Sequence, residues 1–139
     1  MNKVSQKIIG TFEQVAFPDF QIADLTAKID TGAYTGSLHC TKIQELQRGD
    51  AKLLTFSPFD HPEVTITTED FMLRQVRSSN GERQSRYFIT TNIIISGTTY
   101  PIVLSLANRS EMRWPVLIGR KFLRQNHFLV DVRQARNVS

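Results

Sequence analysis

The segment Ile29-Asp30-Thr31-Gly32-Ala33 decides the fold of this sequence, because it joins an apolar strand pattern to a compact polar turn. The carboxylate of Asp30 stands at the end of that strand, where we expect it to be partly removed from water. Gly32 permits a tight turn and the close approach of another backbone or a ligand, and Thr31 can fix the turn through a local hydrogen bond. Asp30 is therefore a candidate for acid–base chemistry. The competing interpretation is an ordinary acidic turn, since the triplet arises by chance in roughly a few per cent of chains of this length.

The length of 139 residues corresponds to one domain, which we place at residues 1–133 with a C-terminal tail at 134–139. The composition, 40% apolar and 22% charged, suits a globular core and argues against disorder. No apolar run approaches the roughly 20 residues that span a bilayer, and the first fifteen residues lack the apolar core of a secretory signal. We therefore expect a cytoplasmic protein without membrane contact.

Charge and cysteine content narrow the classes of function. Lys and Arg number 17 against 13 Asp and Glu, and the resulting net charge of +4 is too small to indicate nucleic acid by itself. The single cysteine, Cys40, excludes an internal disulfide and any multi-cysteine metal cluster.

Residue types and their alternation predict a mostly β protein. Thr, Ile and Val supply 34 of the 139 residues, and these side chains fit a pleated surface better than a helix because they are stiff at the first torsion. Asn80-Gly81 predicts the clearest hairpin turn, and Gly97 predicts another. The adjacent apolar residues Phe122 and Leu123 predict a short helix at 120–125. Apolar patterns bounded by turn residues predict strands at residues 1–10, 13–17, 21–29, 35–46, 52–56, 64–68, 71–76, 87–89, 93–95, 100–106, 114–119 and 128–132.

A second motif gives Asp30 more weight. Residues 114–119, Trp-Pro-Val-Leu-Ile-Gly, form an apolar strand that ends in glycine and is followed by the short helix. This order resembles aspartic peptidases, in which a hydrophobic-hydrophobic-glycine strand passes beside the catalytic Asp-Thr-Gly loop. The resemblance implies a retropepsin-like fold, which is mostly β: a single-lobe acid-protease β-barrel with one short C-terminal helix. Asn80-Gly81 then falls where the flap of retroviral proteases lies.

Four separated segments, AKIDTGAYTGSLHC, RSSNG, NRSEM and LIGRKFL, resemble one bacterial family within this superfamily more closely. That family is labelled as ATP-dependent zinc proteases and is associated with ATP-grasp ligases that add glutamate to ribosomal proteins. The resemblance runs from about Lys3 to Val132. It implies a peptide or protein substrate, and it makes an ATP-grasp glutamate ligase a candidate partner.

The residues themselves support neither zinc nor ATP. Catalytic zinc needs about three protein ligands, whereas the chain offers His39, His61, His127 and Cys40 and has no H-E-x-x-H motif. Adjacent residues on a strand point to opposite faces, so His39 and Cys40 cannot easily share a metal. No glycine-rich phosphate loop precedes a Lys-Ser or Lys-Thr pair. We expect neither a metal nor any other cofactor.

The resemblance implies catalysis by Asp30, Thr31 and Gly32. In aspartic peptidases two carboxylates share one proton and activate water against the scissile carbonyl. This chain has one Asp-Thr-Gly triplet, so activity requires a homodimer with the site on its two-fold axis. Thr31 would brace the two loops, and the Arg77–Arg86 hairpin would close over substrate. Gly119 would pack beneath the loops, and the substrate-binding residues would be Ala33, Arg77, Asn80, Gly81, Arg86, Arg113, Trp114, Ile118, Gly119 and Arg120.

One position departs from the retroviral pattern. Retroviral proteases often carry a second acid directly after Asp-Thr-Gly-Ala, and that acid pairs with the arginine that follows the later glycine. Tyr34 occupies the position in this chain, so Arg120 must pair elsewhere or face substrate. In the same region, Trp114 and Met112 each fit either a substrate pocket or the core.

Arginines surround both motifs. If the fold is retropepsin-like, they lie near the cleft, and we then expect an acidic or glutamate-rich peptide substrate because guanidinium forks bind carboxylates in bidentate fashion. The alternative is a solvated basic face, in which charge on strand edges deters aggregation. The hairpin group is Arg74, Arg77, Arg83 and Arg86, and the group near the helix is Arg109, Arg113 and Arg120.

Three classes of function make different predictions. The leading one is an aspartic endopeptidase, and the alternative is a catalytically inactive binding module for a glutamate ligase or an acidic protein tail. Replacement of Asp30 by Asn abolishes the activity of an enzyme but spares the affinity of a binding module. Nucleic-acid binding ranks last, since the sequence lacks interleaved aromatics and a recognition motif.

Overall fold

Strands dominate the chain, as its content of β-branched residues predicts. The computed structural model describes residues 7–59, 61–77, 80–108 and 113–134. In that part of the chain, the one α-helix is six residues long, and no helix has the length and apolar character needed to cross a membrane. In chain order the elements are β1 (Lys7–Ile9), β2 (Phe12–Phe17), a 3-10 turn (Pro18–Phe20), β3 (Ile22–Ile29), β4 (Gly36–Arg48), β5 (Ala51–Pro58), β6 (Ile66–Thr68), β7 (Phe71–Arg77), β8 (Arg83–Ile95), β9 (Thr98–Ala107), β10 (Val116–Ile118), α1 (Arg120–Gln125) and β11 (Phe128–Val130).

Six strands close into a ring, because the short strand β10 pairs along both of its edges. β10 runs parallel to β3 and antiparallel to β4, and the order β10-β3-β2-β8-β9-β4 returns to β10. β5 and β6 continue the sheet from β4, β7 pairs with β8, and β1 pairs with β11. The predicted mostly β, retropepsin-like class with one short C-terminal helix is confirmed. The ring places the ends of β3 and β10, and with them the two sequence motifs, side by side.

The core fills the ring with side chains from alternate strand positions. Phe17 and Leu104 are fully buried, as is Ile118 of β10, and burial of each such side chain contributes about 1.5–3 kcal/mol. Helix α1 packs through Phe122, whose ring stacks on that of Phe128 at 5.8 Å between ring centres. The apolar alternation read from the sequence therefore predicts the inward faces of these strands correctly.

The hairpin turns use left-handed residues where the sequence marks them. Gly81 has a φ of 86°, and the Asn80 side-chain oxygen accepts a hydrogen bond of 3.1 Å from the Glu82 N–H. Ser96 and Gly97, between β8 and β9, have φ values of 51° and 78°, as a two-residue hairpin requires. Both predicted hairpins are confirmed.

Several strand ends differ from the predicted ones. The strand predicted at 114–119 is limited to Val116–Ile118, since Pro115 has no N–H to donate to a neighbouring strand. The strand predicted at 128–132 ends at Val130, where a turn follows.

Other differences concern the two ends of the chain and the long hairpin. The strand predicted at 35–46 continues to Arg48. Of the strand predicted at 1–10, the structure describes Lys7–Ile9, and residues 1–6 lie outside the described part. The predicted tail lies outside it as well, apart from Gln134.

Glu13 is a polar exception within the core. It lies on β2 with 1% of its surface exposed, and its Oε2 accepts a hydrogen bond of 2.8 Å from the buried Gly10 N–H. This bond fixes the short link between β1 and β2, and it therefore helps to hold the β1–β11 pair against the ring.

We expect Glu13→Ala to lower the free energy of unfolding by about 2–3 kcal/mol, because it leaves the buried Gly10 N–H without its acceptor and opens a cavity. Glu13→Gln keeps an oxygen acceptor, and it is expected to cost about 1 kcal/mol. Urea unfolding followed by the fluorescence of Trp114 measures both changes. If Glu13→Ala unfolds at the same urea concentration as the wild type, the carboxylate does not stabilise the fold.

Candidate functional site

Asp30 lies where the two sequence motifs meet. Ile29 stands opposite Ile118 in the parallel pair of β3 and β10, and the Asp30 N–H donates a hydrogen bond of 2.8 Å to the Ile118 carbonyl. On the other edge of β3, the Ile29 N–H donates to the Thr11 carbonyl, also at 2.8 Å. The backbone that carries Asp30 is therefore held from both sides before the loop begins.

The Asp-Thr-Gly turn is closed by its own carboxylate. Asp30 Oδ1 accepts a hydrogen bond of 3.0 Å from the Gly32 N–H, and the Asp30 carbonyl accepts one of 3.2 Å from the Ala33 N–H. Asp30 is half-buried, as expected from its position, whereas Thr31 and Gly32 are exposed. Asp30 Oδ2 has no hydrogen-bond partner among the described residues. That oxygen can accept a proton from a water molecule or face a second carboxylate.

Arg120 fastens this turn to helix α1. Its backbone N–H donates to the Ala33 carbonyl at 2.8 Å, and its Nη1 donates to the Gly32 carbonyl at 3.0 Å. Its guanidinium carbon lies 5.3 Å from the centre of the Tyr34 ring, which is a cation–π distance. No carboxylate of the described residues forms an ion pair with Arg120. Of the two alternatives left open by the sequence, Arg120 thus pairs elsewhere: its partners are a loop carbonyl and the aromatic ring that stands in place of the acid.

Two glycines allow β10 and the loop to approach each other. A Cβ atom on the buried Gly119 would stand 2.5 Å from the Tyr34 carbonyl oxygen and 2.9 Å from that of Ala33. A Cβ on Gly36 would overlap the Leu117 carbonyl oxygen. Gly119 packs against the loop as expected. Gly36 is a second position at which only glycine fits. It was not among the residues predicted from the sequence, although a Thr-Gly pair directly after Tyr34 can indicate such a close approach.

The hairpin of β7 and β8 borders a cleft of about 930 Å³. Arg77, Asn80 and Arg86 line this cleft from the hairpin, and residues 106–108 line it from the end of β9. The structure therefore brings three of the predicted substrate-binding residues together. Within one chain they lie apart from the Asp30 loop, which is not among the lining residues.

The base of the same hairpin is tied to β4. The Tyr87 hydroxyl donates a hydrogen bond of 3.0 Å to Glu45 Oε2. Partial removal from water, and then the neighbouring carboxylate, raise the pKa of the Tyr87 phenol. The phenol therefore stays protonated and remains a donor at neutral pH.

Three predicted substrate-binding residues near β10 contact other parts of the chain. Ile118 is fully buried, and its carbonyl accepts the hydrogen bond from the Asp30 N–H, so its role in substrate binding stays a prediction. Trp114 packs on Phe12 with 4.6 Å between ring centres, which favours the packing role that the sequence left open. Arg113 is exposed, and its guanidinium carbon lies 5.4 Å from the Trp114 ring.

The remaining candidates are exposed or outside the described residues. Gly81 lies at the exposed hairpin turn, and Arg74 and Arg83 are exposed on its two strands. Arg109 and Met112 lie outside the described residues.

The metal-ligating side chains that the structure describes do not fit the zinc that the label of the resembling family implies. His39 is buried, and its Nδ1 lies 3.1 Å from the Ala107 carbonyl oxygen. His61 lies in a loop, 3.4 Å from a carboxylate oxygen of Glu63. Across the described ranges, no three His, Cys, Asp or Glu side chains come close enough together to hold a metal ion.

Comparison with known proteins places this arrangement in a family. The family model described as RimB-like, retropepsin-like aspartic endopeptidase RimB, matches residues 8–138. A probable alpha-L-glutamate ligase of Shewanella pealeana is 33% identical over 131 residues, which cover 89% of this chain and 28% of the relative. One of Parasynechococcus marenigrum is 32% identical over 142 residues, which cover 91% of this chain and 30% of the relative. The chain thus spans less than a third of the length of these curated relatives.

The fold also has a counterpart among solved structures. The crystal structure of a protein of unknown function (DUF785) from Legionella pneumophila superposes with a TM-score of 0.77 at 26% sequence identity. The match covers 96% of this chain and 98% of that one, so the two proteins share their fold over nearly their whole length.

Cys40, the single thiol of the sequence, is fully buried on β4. Burial raises the pKa of the thiol from 9.0 to about 12, although a hydrogen bond with Ala107 lowers it in part. The unfolded chain ionises first as the pH rises. Thiol burial therefore stabilises the fold fully below about pH 9, and this contribution is lost as the pH rises from about 9 to 12.

We expect the folded protein to react with a thiol reagent such as DTNB at pH 8 roughly a thousandfold more slowly than the unfolded protein, because only the thiolate reacts and its fraction falls by about that factor when the pKa rises from 9.0 to about 12. The rate of thionitrobenzoate release measures this, with the protein in concentrated urea as the control. Equal rates in the two states would contradict the burial of Cys40.

Proposed function

The chain belongs to the RimB-like family of retropepsin-like aspartic endopeptidases, and on that premise we propose that it is an aspartic endopeptidase in which Asp30 activates water. The observation that carries the proposal is the state of the Asp30 carboxylate. One oxygen is held by the Gly32 N–H, and the other has no partner among the described residues and lies on an exposed loop. A general base must be both oriented and within reach of water, and this carboxylate meets both conditions.

Catalysis requires a second carboxylate beside the first. The ionised member of the pair takes a proton from the attacking water, whose oxygen bonds to the scissile carbonyl carbon, while the protonated member gives its proton to the carbonyl oxygen. The tetrahedral diol then collapses: one diol hydroxyl returns its proton to the ionised carboxylate, the C–N bond breaks, and the leaving amine takes the proton of the other carboxyl group, which restores the singly protonated pair. Since the sequence has a single Asp-Thr-Gly triplet, the second Asp30 comes from another copy in a homodimer.

An exposed apolar patch beside the Asp30 loop supports the homodimer. Ile8 of β1 and Leu129 of β11 stand opposite each other and are 47% and 46% exposed. Thr11 links these strands to the loop, because its carbonyl accepts from the Ile29 N–H and its own N–H donates to the Gln134 carbonyl. Covering the patch with a second copy would bring that copy close to Asp30, and it would contribute about 1 kcal/mol for each half-exposed side chain buried.

Charge and the relatives together support an acidic peptide substrate. Arg77 and Arg86 line the large cleft beside the hairpin, and guanidinium groups bind carboxylates strongly. The curated relatives that contain a similar segment are named probable alpha-L-glutamate ligases. Joining glutamate to a chain creates the carboxylate-rich peptide that such arginines would bind. An endopeptidase that prefers acidic peptides would therefore cleave the product of a glutamate ligase.

Asp30→Asn is expected to reduce kcat on a glutamate-rich peptide by about a thousandfold, because an amide cannot take the proton from water. Asp24→Asn changes an exposed aspartate on the same strand and should retain wild-type activity. Cleavage of a quenched fluorescent peptide measures both. Full activity of Asp30→Asn would contradict the proposal, whereas equal turnover of the peptide with Glu replaced by Gln would contradict only the preference for acidic substrates.

Leu129→Glu is expected to shift the protein from dimer to monomer in sedimentation velocity and to lower its activity, because it places a charge in an apolar contact. Leu46→Glu, at a position 37% exposed on the β4–β5 hairpin, is the matched control. An excess of Asp30→Asn protein should also inhibit the wild type by forming dimers with one carboxylate. Wild-type activity that persists in the monomer and resists such mixing would contradict a site shared between copies.

A second candidate function is a binding module without catalytic activity. It is favoured by the length of the relatives, of which a segment similar to this chain makes up only 28–30%. A module of this kind would serve a glutamate ligase or an acidic protein tail. It would bind an acidic peptide equally well with Asp30 or with Asn at that position, and it would cleave nothing.

A further inference from the structure

A second hollow lies between the hairpin and the loop that follows Asp-Thr-Gly. We name it the lateral groove; its volume is about 350 Å³. It continues into a smaller cavity of about 190 Å³ that shares Tyr34 and Lys121 with it. Its lining includes Tyr34, Met72, Arg74, Val76, Phe88 and Lys121.

The floor and rim of the lateral groove are largely apolar. Met72 and Val76 alternate along β7 and so share one face of the hairpin, and Met72 stands opposite Phe88 on β8. Met72 is 48% exposed and Tyr34 is 53% exposed. Exposed apolar side chains that cluster around a concave site indicate a binding surface, whereas single exposed apolar side chains do not.

Two cations stand in this apolar setting, and among the described residues neither has an acidic partner. The Lys121 ammonium lies 5.8 Å from the centre of the Tyr34 ring, and Arg74 Nε donates to the Met72 sulfur at 2.9 Å. Neither forms an ion pair with a carboxylate of the described residues. A ring face and a thioether are weak partners for a cation, so both cations remain able to receive a carboxylate. Asp70 is the one carboxylate in the described lining, which leaves the groove with an excess of positive charge.

The lateral groove is close to the candidate catalytic residue. Tyr34 follows Asp30 by four residues, and four residues of extended chain span at most about 14 Å. A substrate chain extended from Asp30 reaches the same distance with about four residues. The groove is therefore within range of the side chains that flank a scissile bond.

We infer that the lateral groove is a specificity subsite for one acidic side chain of the substrate, with Lys121 and Arg74 as the residues that recognise its carboxylate. The methylene groups of that side chain pack against Met72 and Phe88, and its carboxylate replaces the ring and the sulfur as the partner of the two cations. This site is separate from the large cleft lined by Arg77 and Arg86. The inference rests on the proposed endopeptidase function, because that function supplies the peptide.

Binding of uncleaved peptides tests the subsite independently of catalysis. In the Asp30→Asn background, fluorescence anisotropy measures the Kd of a set of labelled peptides in which Glu is exchanged for Gln at one position at a time. We expect one position within about four residues of the scissile bond to show a Glu preference of about tenfold. Lys121→Met and Arg74→Met should each reduce this preference to about twofold or less, while the Kd of the matching Gln peptide stays unchanged.

Two further variants sharpen the comparison. Asp70→Asn removes the competing carboxylate of the groove and should strengthen binding of the Glu peptide. Lys52→Met removes an exposed lysine on β5 and should leave the preference as it is. Equal weakening of Glu and Gln peptides by Lys121→Met, or an undiminished Glu preference in both groove variants, overturns the subsite.

The outcomes also separate this inference from the proposed function. A protein that cleaves no peptide but shows a Glu preference dependent on Lys121 contradicts the endopeptidase and supports the subsite. A protein that cleaves peptides with a Glu preference independent of Lys121 and Arg74 supports the endopeptidase and contradicts the subsite.

Discussion

The hydrogen bond from the Asp30 N–H to the Ile118 carbonyl is the contact on which the rest of the site depends. It continues the parallel pairing of β3 and β10 by one residue beyond the strand. Because β10 also pairs with β4, the same short strand closes the ring and fixes the start of the loop. A change that separates β10 from β3 would therefore open the ring, and at the same time it would break the hydrogen bond that holds the backbone of Asp30. Gly36 and Gly119 both lie where β10 contacts β4 and the loop, and neither has room for a side chain. The close approach of these backbones explains why both positions are glycine.

Tyr34 stands in place of the acid that retroviral proteases carry, which removes one negative charge from the loop. Arg120 nevertheless remains hydrogen-bonded to the loop. In the retroviral pattern an acid pairs with the arginine after the glycine, whereas Arg120 here has no carboxylate partner among the described residues and is held by the Gly32 carbonyl and an aromatic ring. The ring is a weaker partner than a carboxylate, contributing about 0.5–1 kcal/mol at an exposed site. It also interacts with Lys121. The side of the loop that faces the lateral groove is consequently more positive than in a protein with the acid.

The sequence predicted the parts of the protein that local chemistry determines. Asp-Thr-Gly and the later Ile-Gly define short backbone conformations, and Asn80-Gly81 defines a turn, so residue types alone were sufficient. The partners of Arg120 could not be predicted, because a carbonyl leaves no mark in the sequence. The lateral groove was missed because its two cations, Arg74 on β7 and Lys121 on α1, are far apart along the chain. Only the fold brings them to the same hollow. Ile118 was assigned to substrate by its place in a motif, yet its side chain points into the core.

The burial of the single thiol has a consequence for how copies of this chain can associate. Cys40 lies inside β4 and stays protonated up to a pH of about 12, so the folded surface presents no sulfhydryl to air, peroxide or glutathione. Two folded copies therefore cannot be cross-linked by oxidation. If two folded copies associate, only non-covalent contacts hold them together, and the redox state of the surroundings does not alter those contacts.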